Sequence, residues 1–428
     1  MLRFVLSPFR ELHIVDLRIA LINTLVAKQR GEGTILHFND MDKTHRHAYR
    51  DQEIRELLKK FAVDPERVLY RSEHLHRYQQ LAVKLVEERK AFLCTCRSES
   101  GEEAPRCSGR CASLSTEEIR QIQEEKLPYT IRIHKPTEAL TFSDRIRGQI
   151  RVEPSEVDHF VLLHSDASPS DDFACACDDM LGNISLVIQE DRPIHAARQI
   201  YIRRALGYDL EIETAGLPPL LDSEGKKLSP TDEKSAVRTL LEEGFLPDAI
   251  INELLLPGMP DSQEIFTLPE ARNSFELSHI PVEGVRFDLQ RLRRINRAHL
   301  LRMDDLALSR IFRFADADIG RLAKLYLRDG AATITELEAK ISALFAPKKC
   351  GSEEAETMHA LSTLIAEAPL DARFDEWVKY LLRKSGIEED RLLPLLRRLI
   401  TGSDEGPALE EIYSTIKAYL PEVARCQP

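Results

Sequence analysis

The sequence predicts an α/β protein: a parallel-sheet domain interrupted by an antiparallel α+β insertion and followed by an all-α region. Three observations predict it. Strand and helix patterns alternate from the N-terminus; at about Ala91 they give way to short strands, turns and cysteines, and buried-strand character returns near Ile184; after about Leu240 almost every segment has helical spacing.

Arg3 to Leu6 is expected as a short strand, broken by Ser7-Pro8. Asp16 is expected to cap a helix, because Leu17, Ala20, Leu21, Leu25 and Val26 recur at helical spacing until Gly31. Ile35 to Phe38 is expected as the next strand and Asp51 to Phe61 as a second amphipathic helix. A strand, a tight loop with a His, a helix and a strand make a βαβ unit, the core of a nucleotide-binding parallel sheet. Thr130 to Ile133 and Gln149 to Val152 read as strands of the antiparallel insertion. Ile184, Leu186, Val187 and Ile188 resume the buried sheet, and His195 to Leu206 is helical. Leu289 to Leu301, Ile319 to Leu327, Ile334 to Leu344 and Leu392 to Leu399 are helices of the C-terminal region, punctuated by Pro257-Gly258-Met259-Pro260 and Ala346-Pro347.

The chain has 428 residues, 43% hydrophobic and 30% charged, enough for about three domains with real cores at roughly 150 residues each. The net charge of -12 excludes a uniformly basic coat but leaves room for a local basic surface on RNA. No run is long and apolar enough for a membrane span, the N-terminus enters a strand without a signal-peptide layout, and the eight cysteines are clustered; a cytoplasmic protein is expected.

Three constellations bear chemistry. Ser7 to Ile14, with His13 ahead of a helix, is open between a phosphate site at a helix N-terminus and a loop His with no ligand. Asp222-Ser223-Glu224-Gly225-Lys226-Lys227-Leu228-Ser229 is open between a solvated turn and a mobile loop that neutralises a departing polyphosphate. Cys94, Cys96, Cys107 and Cys111, spaced C-x-C-x10-C-x3-C, suit a tetrahedral structural zinc site, the alternative being four reduced thiols. Cys175 and Cys177 lie in an apolar run and read as packing, as does Trp377; Cys350 and Cys426 are isolated, and His45 and His47 read as solvated.

Taken together, the first two constellations resemble the paired signatures of class I aminoacyl-tRNA synthetases: His13-Ile14 the start of HIGH, Lys227-Leu228-Ser229 the start of the KLSKR form of KMSKS. Flanking segments are similar to bacterial glutamate–tRNA ligases. Arg3-Phe4 with Ser7-Pro8 matches their RFAPSPTG, Asn39-Asp40-Met41-Asp42 sits where they carry EDTD, and Leu241 to Pro247 matches LEEGYLPEA. Phe287-Asp288-Leu289 with Leu292, Asn296 and Arg297, and then Thr401-Gly402-Ser403 with Gly406-Pro407, extend the likeness along nearly the whole chain.

The resemblance implies a Rossmann-type catalytic domain over residues 1–88 and 172–238, an acceptor-stem-binding insertion with the zinc site over 89–171, a helical stem-contact region over 239–305 and a helical anticodon-binding region over 306–428. It implies a monomer acting on tRNA and glutamate with ATP, Mg2+ and structural zinc, away from membranes. His13, Lys226 and Lys227 would stabilise phosphate charge, Arg3 would meet the substrate carboxylate, and Ser7, Asn39, Asp171, Gln189 and Ser229 would line the substrate and ATP sites.

Departures from the family pattern fall on the same residues. Val15 stands where HIGH has Gly, pressing two methyl groups toward adenine, and Asp16 takes the fourth place, where it would repel phosphate. Pro230 and Thr231 replace the second Lys and the Arg of KLSKR, and Asn39 replaces the Glu that holds the α-amino group. Asp171-Asp172 stands for Tyr-Asn, and Gln189-Glu190-Asp191 for RGED, one residue shorter and without its Arg. The sequence therefore supports two expectations: ATP-dependent attachment of glutamate to a Glu- or Gln-type tRNA through an adenylate, or a catalytically inactive tRNA-binding paralogue or regulatory partner of another synthetase or amidotransferase.

Overall fold

Strand β1 (Leu2–Leu6) is buried on both faces: Leu2, Phe4 and Leu6 point one way, and even Arg3, on the other side, is covered. Double burial is the mark of a central parallel strand. In the computed structural model, which describes residues 1–41, 50–96, 106–107, 109–229, 235–260, 264–348, 355–369 and 373–425, β1 lies between β2 (Thr34–Phe38) and β9 (Leu186–Glu190), parallel to both. The sheet runs β3-β2-β1-β9-β10-β6-β7, with β3 (Arg67–Tyr70), β10 (Glu213–Leu217), β6 (Leu140–Asp144) and β7 (Gly148–Val152). The hairpin β6–β7 is antiparallel, as the sequence predicts, but it does not stand apart: β6 joins β10 in parallel at Thr214 and Asp144. Asp144 makes the junction by accepting the N–H of Gly216 at 2.8 Å.

Helices α1 (Ile14–Arg30), α2 (Asp51–Lys60), α3 (Leu75–Glu87), α4 (Thr116–Glu124), α5 (Asp171–Leu181) and α6 (Pro193–Ala205) accompany this sheet and a smaller antiparallel one. The smaller sheet has the order β4 (Ala91–Cys94), β5 (Thr130–Ile133) and β8 (Val161–Leu163). Helix α1 stops where Gly31 takes the left-handed conformation at φ 69° and returns its N–H to the last turn, a position an L side chain would strain. A short parallel pair, β11 (Leu220–Leu221) with β12 (Val285–Arg286), carries the lysine loop.

The chain forms two compact units, one of residues 1–238 and 254–288, the other of 239–253 and 289–428. Helices α7 (Val237–Glu242) and α8 (Pro247–Leu255) span the passages between them, and α9 (Leu268–Ser274) belongs to the first. The second unit holds α10 (Leu289–Arg302), α11 (Asp305–Ile311), α12 (Asp318–Arg328), α13 (Ile334–Phe345), α14 (Ala355–Glu367), α15 (Phe374–Ser385), α16 (Glu389–Thr401), α17 (Leu409–Ile416) and α18 (Leu420–Val423). Their apolar faces meet around Trp377, whose ring lies 4.7 Å from that of Tyr413, so the packing reading of Trp377 holds. Buried Asn296 ties this unit internally, accepting from the N–H of Leu246 and donating to the carbonyl of Ala332. Among the described residues no helix is long and apolar enough to cross a membrane.

Candidate functional site

The strand-to-helix step after β1 is where a phosphate is expected. The structure corrects the cap: His13, not Asp16, is the N-cap, with extended backbone and its Nδ1 accepting the N–H of Val15 at 3.2 Å. Asp16 sits one turn in and completes a capping box, with the N–H of His13 directed at its Oδ2 at 3.4 Å. Arg10 then grips Asp16 through two bonds, Nη1 to Oδ2 at 2.5 Å and Nη2 to Oδ1 at 2.9 Å. The helix dipole and open N–H groups that draw phosphate act here on a carboxylate of the chain itself. His13 is only 2% exposed and forms an isolated antiparallel bridge with Ala236, with the N–H of Val237 on the carbonyl of Leu12.

Ser7, Asn39 and Asp171 come together around one cavity, with Phe9, Arg10, Met41 and His164. Asn39 donates to Asp171 at 3.0 Å, and Arg71 donates to the same oxygen at 2.8 Å. Asp171 is therefore paired at the cavity wall. Its neighbour Asp172 faces His195 at 2.9 Å. Gln189 is not brought to this cavity; it lines another, with Asp144, Asp191, Arg192 and Gly216, and its amide points to Gln199.

Arg3, expected to meet a substrate carboxylate, is held within the protein. Its guanidinium is 2% exposed and forks onto Asp179, Nε to Oδ1 at 2.6 Å and Nη2 to Oδ2 at 3.3 Å. Arg203 binds Asp179 from the other side at 2.9 Å. A buried charge needs a counter-charge, and β1 points Arg3 at the one that α5 supplies.

Beside it lies a second buried set that the sequence reading did not single out. Asp178 accepts from Tyr78 at 2.6 Å and faces His37 at 3.3 Å and Arg71 at 3.5 Å. Burial works against its charge, yet His37, Arg71 and Tyr78 hold the Asp178 carboxyl below the usual range. Arg71 keeps its proton more firmly than usual: burial opposes this, but Cys175, Asp178 and Asp171 outweigh it. Two adjacent acids closing an apolar helical run were the available signal, since such acids reach the interior only when paired. Cys175 and Cys177 are buried on the same helix, as expected, and Cys175 also accepts from Arg71.

The lysine loop turns on Asp222, whose Oδ1 accepts the N–H groups of Glu224 and Lys226, with Gly225 at φ 85°. Lys226 pairs with Glu224 at 2.8 Å on the surface, and Lys227 pairs with Glu190. Burial opposes ionisation of Glu190, but Lys227 and then Arg192 hold it below its ordinary value. Ser229 is the last described residue of the loop, and Leu228 is pinned to Leu220. Pro230, Thr231, Asp42, His45, His47, Cys350 and Cys426 lie outside the described residues.

The four cysteines converge. Cys94 ends β4, Cys96 follows it, Cys107 precedes the 3-10 segment Arg110–Ser113, and Cys111 lies within that segment. All four sulfurs lie within 4.8 Å of one another, with Cys96 at 3.8 Å from Cys107 and 3.5 Å from Cys111. Thiolates around tetrahedral zinc, at about 2.3 Å each, stand about 3.8 Å apart. The donor set and spacing fit that ion, and four protein ligands leave it no open position.

The family described as tRNA synthetases class I (E and Q), catalytic domain, matches residues 1–294. The chain is 42% identical over 428 residues to a protein named glutamate–tRNA ligase 2 of a Sulfurovum species, covering 99% of this chain and 100% of that one. It is 41% identical over 434 residues to glutamate–tRNA ligase 1 of a Nitratiruptor species, again covering 99% and 100%. In three dimensions it is similar to a glutamate–tRNA ligase of Elizabethkingia meningosepticum solved with its amino acid, at TM-score 0.81 and 23% identity over 99% of this chain and 98% of that one, a likeness of fold.

Proposed function

We propose, from the premise that this chain belongs to the bacterial class I glutamate–tRNA ligase family, that it is a tRNA-binding member whose own adenylate chemistry is switched off. One observation carries the reading: the N-terminus of α1, the family's phosphate-binding corner, is filled by the Arg10–Asp16 fork. ATP would have to displace a charge-assisted pair and then sit against a carboxylate. The other substitutions agree: Asn39 and Asp171 bind each other, Lys227 is committed to Glu190, and Gln189 carries no charge toward substrate. Each lost transition-state donor costs on the order of 2–4 kcal/mol, and the losses share one site, so they do not simply add. The scaffold around them keeps the four-cysteine cluster and the helical second unit. In this reading Cys94, Cys96, Cys107 and Cys111 hold a structural zinc that shapes the insertion for the tRNA acceptor stem, and the helices of the second unit meet the anticodon side.

The full-length likeness to proteins named glutamate–tRNA ligases supports a second reading: ATP- and Mg2+-dependent glutamylation of tRNA through an adenylate, with His13, Lys226 and Lys227 on the phosphates. ATP–pyrophosphate exchange and labelled-glutamate charging, run with total bacterial tRNA at high protein concentration, separate the two. The expected result is a gel shift with tRNA and no exchange or charging above background. Charging that scales with protein concentration would establish the second reading instead.

A further inference from the structure

A third cavity, of about 500 Å³, lies in the first unit between α1, the end of α2 and α9. Its floor is Leu21, Leu25 and Phe61, all nearly fully buried. At its mouth stand Lys28 and Arg272, both exposed, and no acidic residue lines it. Arg272 is anchored to the last turn of α1, its Nη2 donating to the backbone carbonyl of Lys28 at 3.2 Å. Neither has an ion pair among the described residues, although the chain carries a net charge of -12. The walls are braced: Gln29 donates at 2.9 Å to the carbonyls of both Arg272 and Phe275, fixing α9 against the last turn of α1. Thr24, 7% exposed, lines the wall with a hydroxyl that has no hydrogen-bond partner. An apolar chamber of this size with a few convergent polar groups has the makings of a small-molecule site.

We propose that this cavity binds a small amphipathic anion, a monocarboxylate with an unbranched hydrocarbon tail, its tail on Leu21, Leu25 and Phe61 and its charge between Lys28 and Arg272. Complementarity selects the class. A cation would meet two like charges at the mouth, and a neutral alcohol would gain no charge pairing with either. The proposal stands apart from the tRNA reading and does not depend on it.

Isothermal titration of the full chain with octanoate, octylamine and octanol tests it. Saturable one-to-one binding of octanoate is expected, weakening with salt, with octylamine silent and octanol at least about tenfold weaker. Lys28→Glu, a surface change, should weaken octanoate by about tenfold or more. Leu25→Phe should also weaken it by filling the chamber, in protein whose thermal melt shows it folded. No saturable heat with octanoate, equal binding of octylamine, or unchanged affinity in Lys28→Glu would each overturn the proposal. A tRNA gel shift unaltered by Lys28→Glu keeps this outcome separate from that of the tRNA reading.

Discussion

Asp179→Ala is expected to destabilise the first unit by about 3–5 kcal/mol, the range for removing one partner of a buried ion pair. Asp179 has no exposed surface and is the shared counter-charge of Arg3 and Arg203. Without it two guanidinium groups stay in a dry interior beneath the central strand, unable to lose their protons. Urea unfolding measures the change, and a loss below about 1 kcal/mol would show that water or a neighbour takes over the carboxylate's role. Replacing Arg3 with Met and Asp179 with Leu together should recover part of the loss, because apolar pairs often replace buried ionic ones at little cost. The same logic sets the acid limb. Burial opposes the charge of Glu32, but Arg30, the N-terminal amine and Ser185 pull its carboxyl down to about 2. A folded value below the unfolded value of about 4.3 gives stability that is present above pH about 4.3 and is lost as pH falls toward 2. Asp178, held low by His37 and Arg71, adds in the same direction. Asp178→Asn should therefore flatten the fall in stability below pH about 4, as followed by circular dichroism across an acid titration.

Removing the metal we assign to Cys94, Cys96, Cys107 and Cys111 is expected to release the insertion locally. Structural zinc in small domains contributes apparent binding free energies of about 10–16 kcal/mol, and around these cysteines there is little else to hold the turn. Their apolar neighbours are few: Phe92, Ala112 and Leu114. The strands β4, β5 and β8 have their own core of Ile131, Ile133, Leu162 and Leu163 and should persist. Hydrogen exchange after chelation should show fast amides at 95–96 and 109–114 and unchanged protection in β1, β2 and β9. Full protection at the cysteines after complete metal removal would refute the assignment. Cys96→Ser should give the same pattern together with substoichiometric zinc by elemental analysis.

The alternation of periods made the parallel sheet legible, because a buried strand and an amphipathic helix differ in period whatever they later touch. The cysteine spacing made the four-thiol cluster legible for a similar reason: two short loops must bring four thiols together. What the sequence could not resolve is where long polar side chains turn. Asp16 suited a cap by residue type, yet the chain entered the helix two residues before it, at Ile14, and gave the cap to His13. Arg3 matched a substrate-binding position, but only the pairing of β1 with β9 and the placement of α5 show that Asp179 already holds it. Arg71, fully buried and touching Asp171, Asp178 and Cys175, lies in a polar stretch that gave no sign of burial. Long-range ion pairs are set by topology: the two acids closing the apolar run of α5 signal that partners exist, and no local pattern says which residues they are.

The division of the chain into units has a consequence for its birth on the ribosome. Residues 239–253 belong to the second unit, yet they are made before 254–288, which complete the first. The carbonyl of Gly244 and the N–H of Leu246 await Asn296, and Thr335 later donates to the carbonyl of Glu243. This stretch must therefore remain without its final partners while some forty-odd further residues emerge and more follow. A stop codon after residue 288 would leave it stranded for good. Neither unit is obtained by a single cut, and a stable first unit on its own calls for residues 239–253 to be replaced by a polar linker.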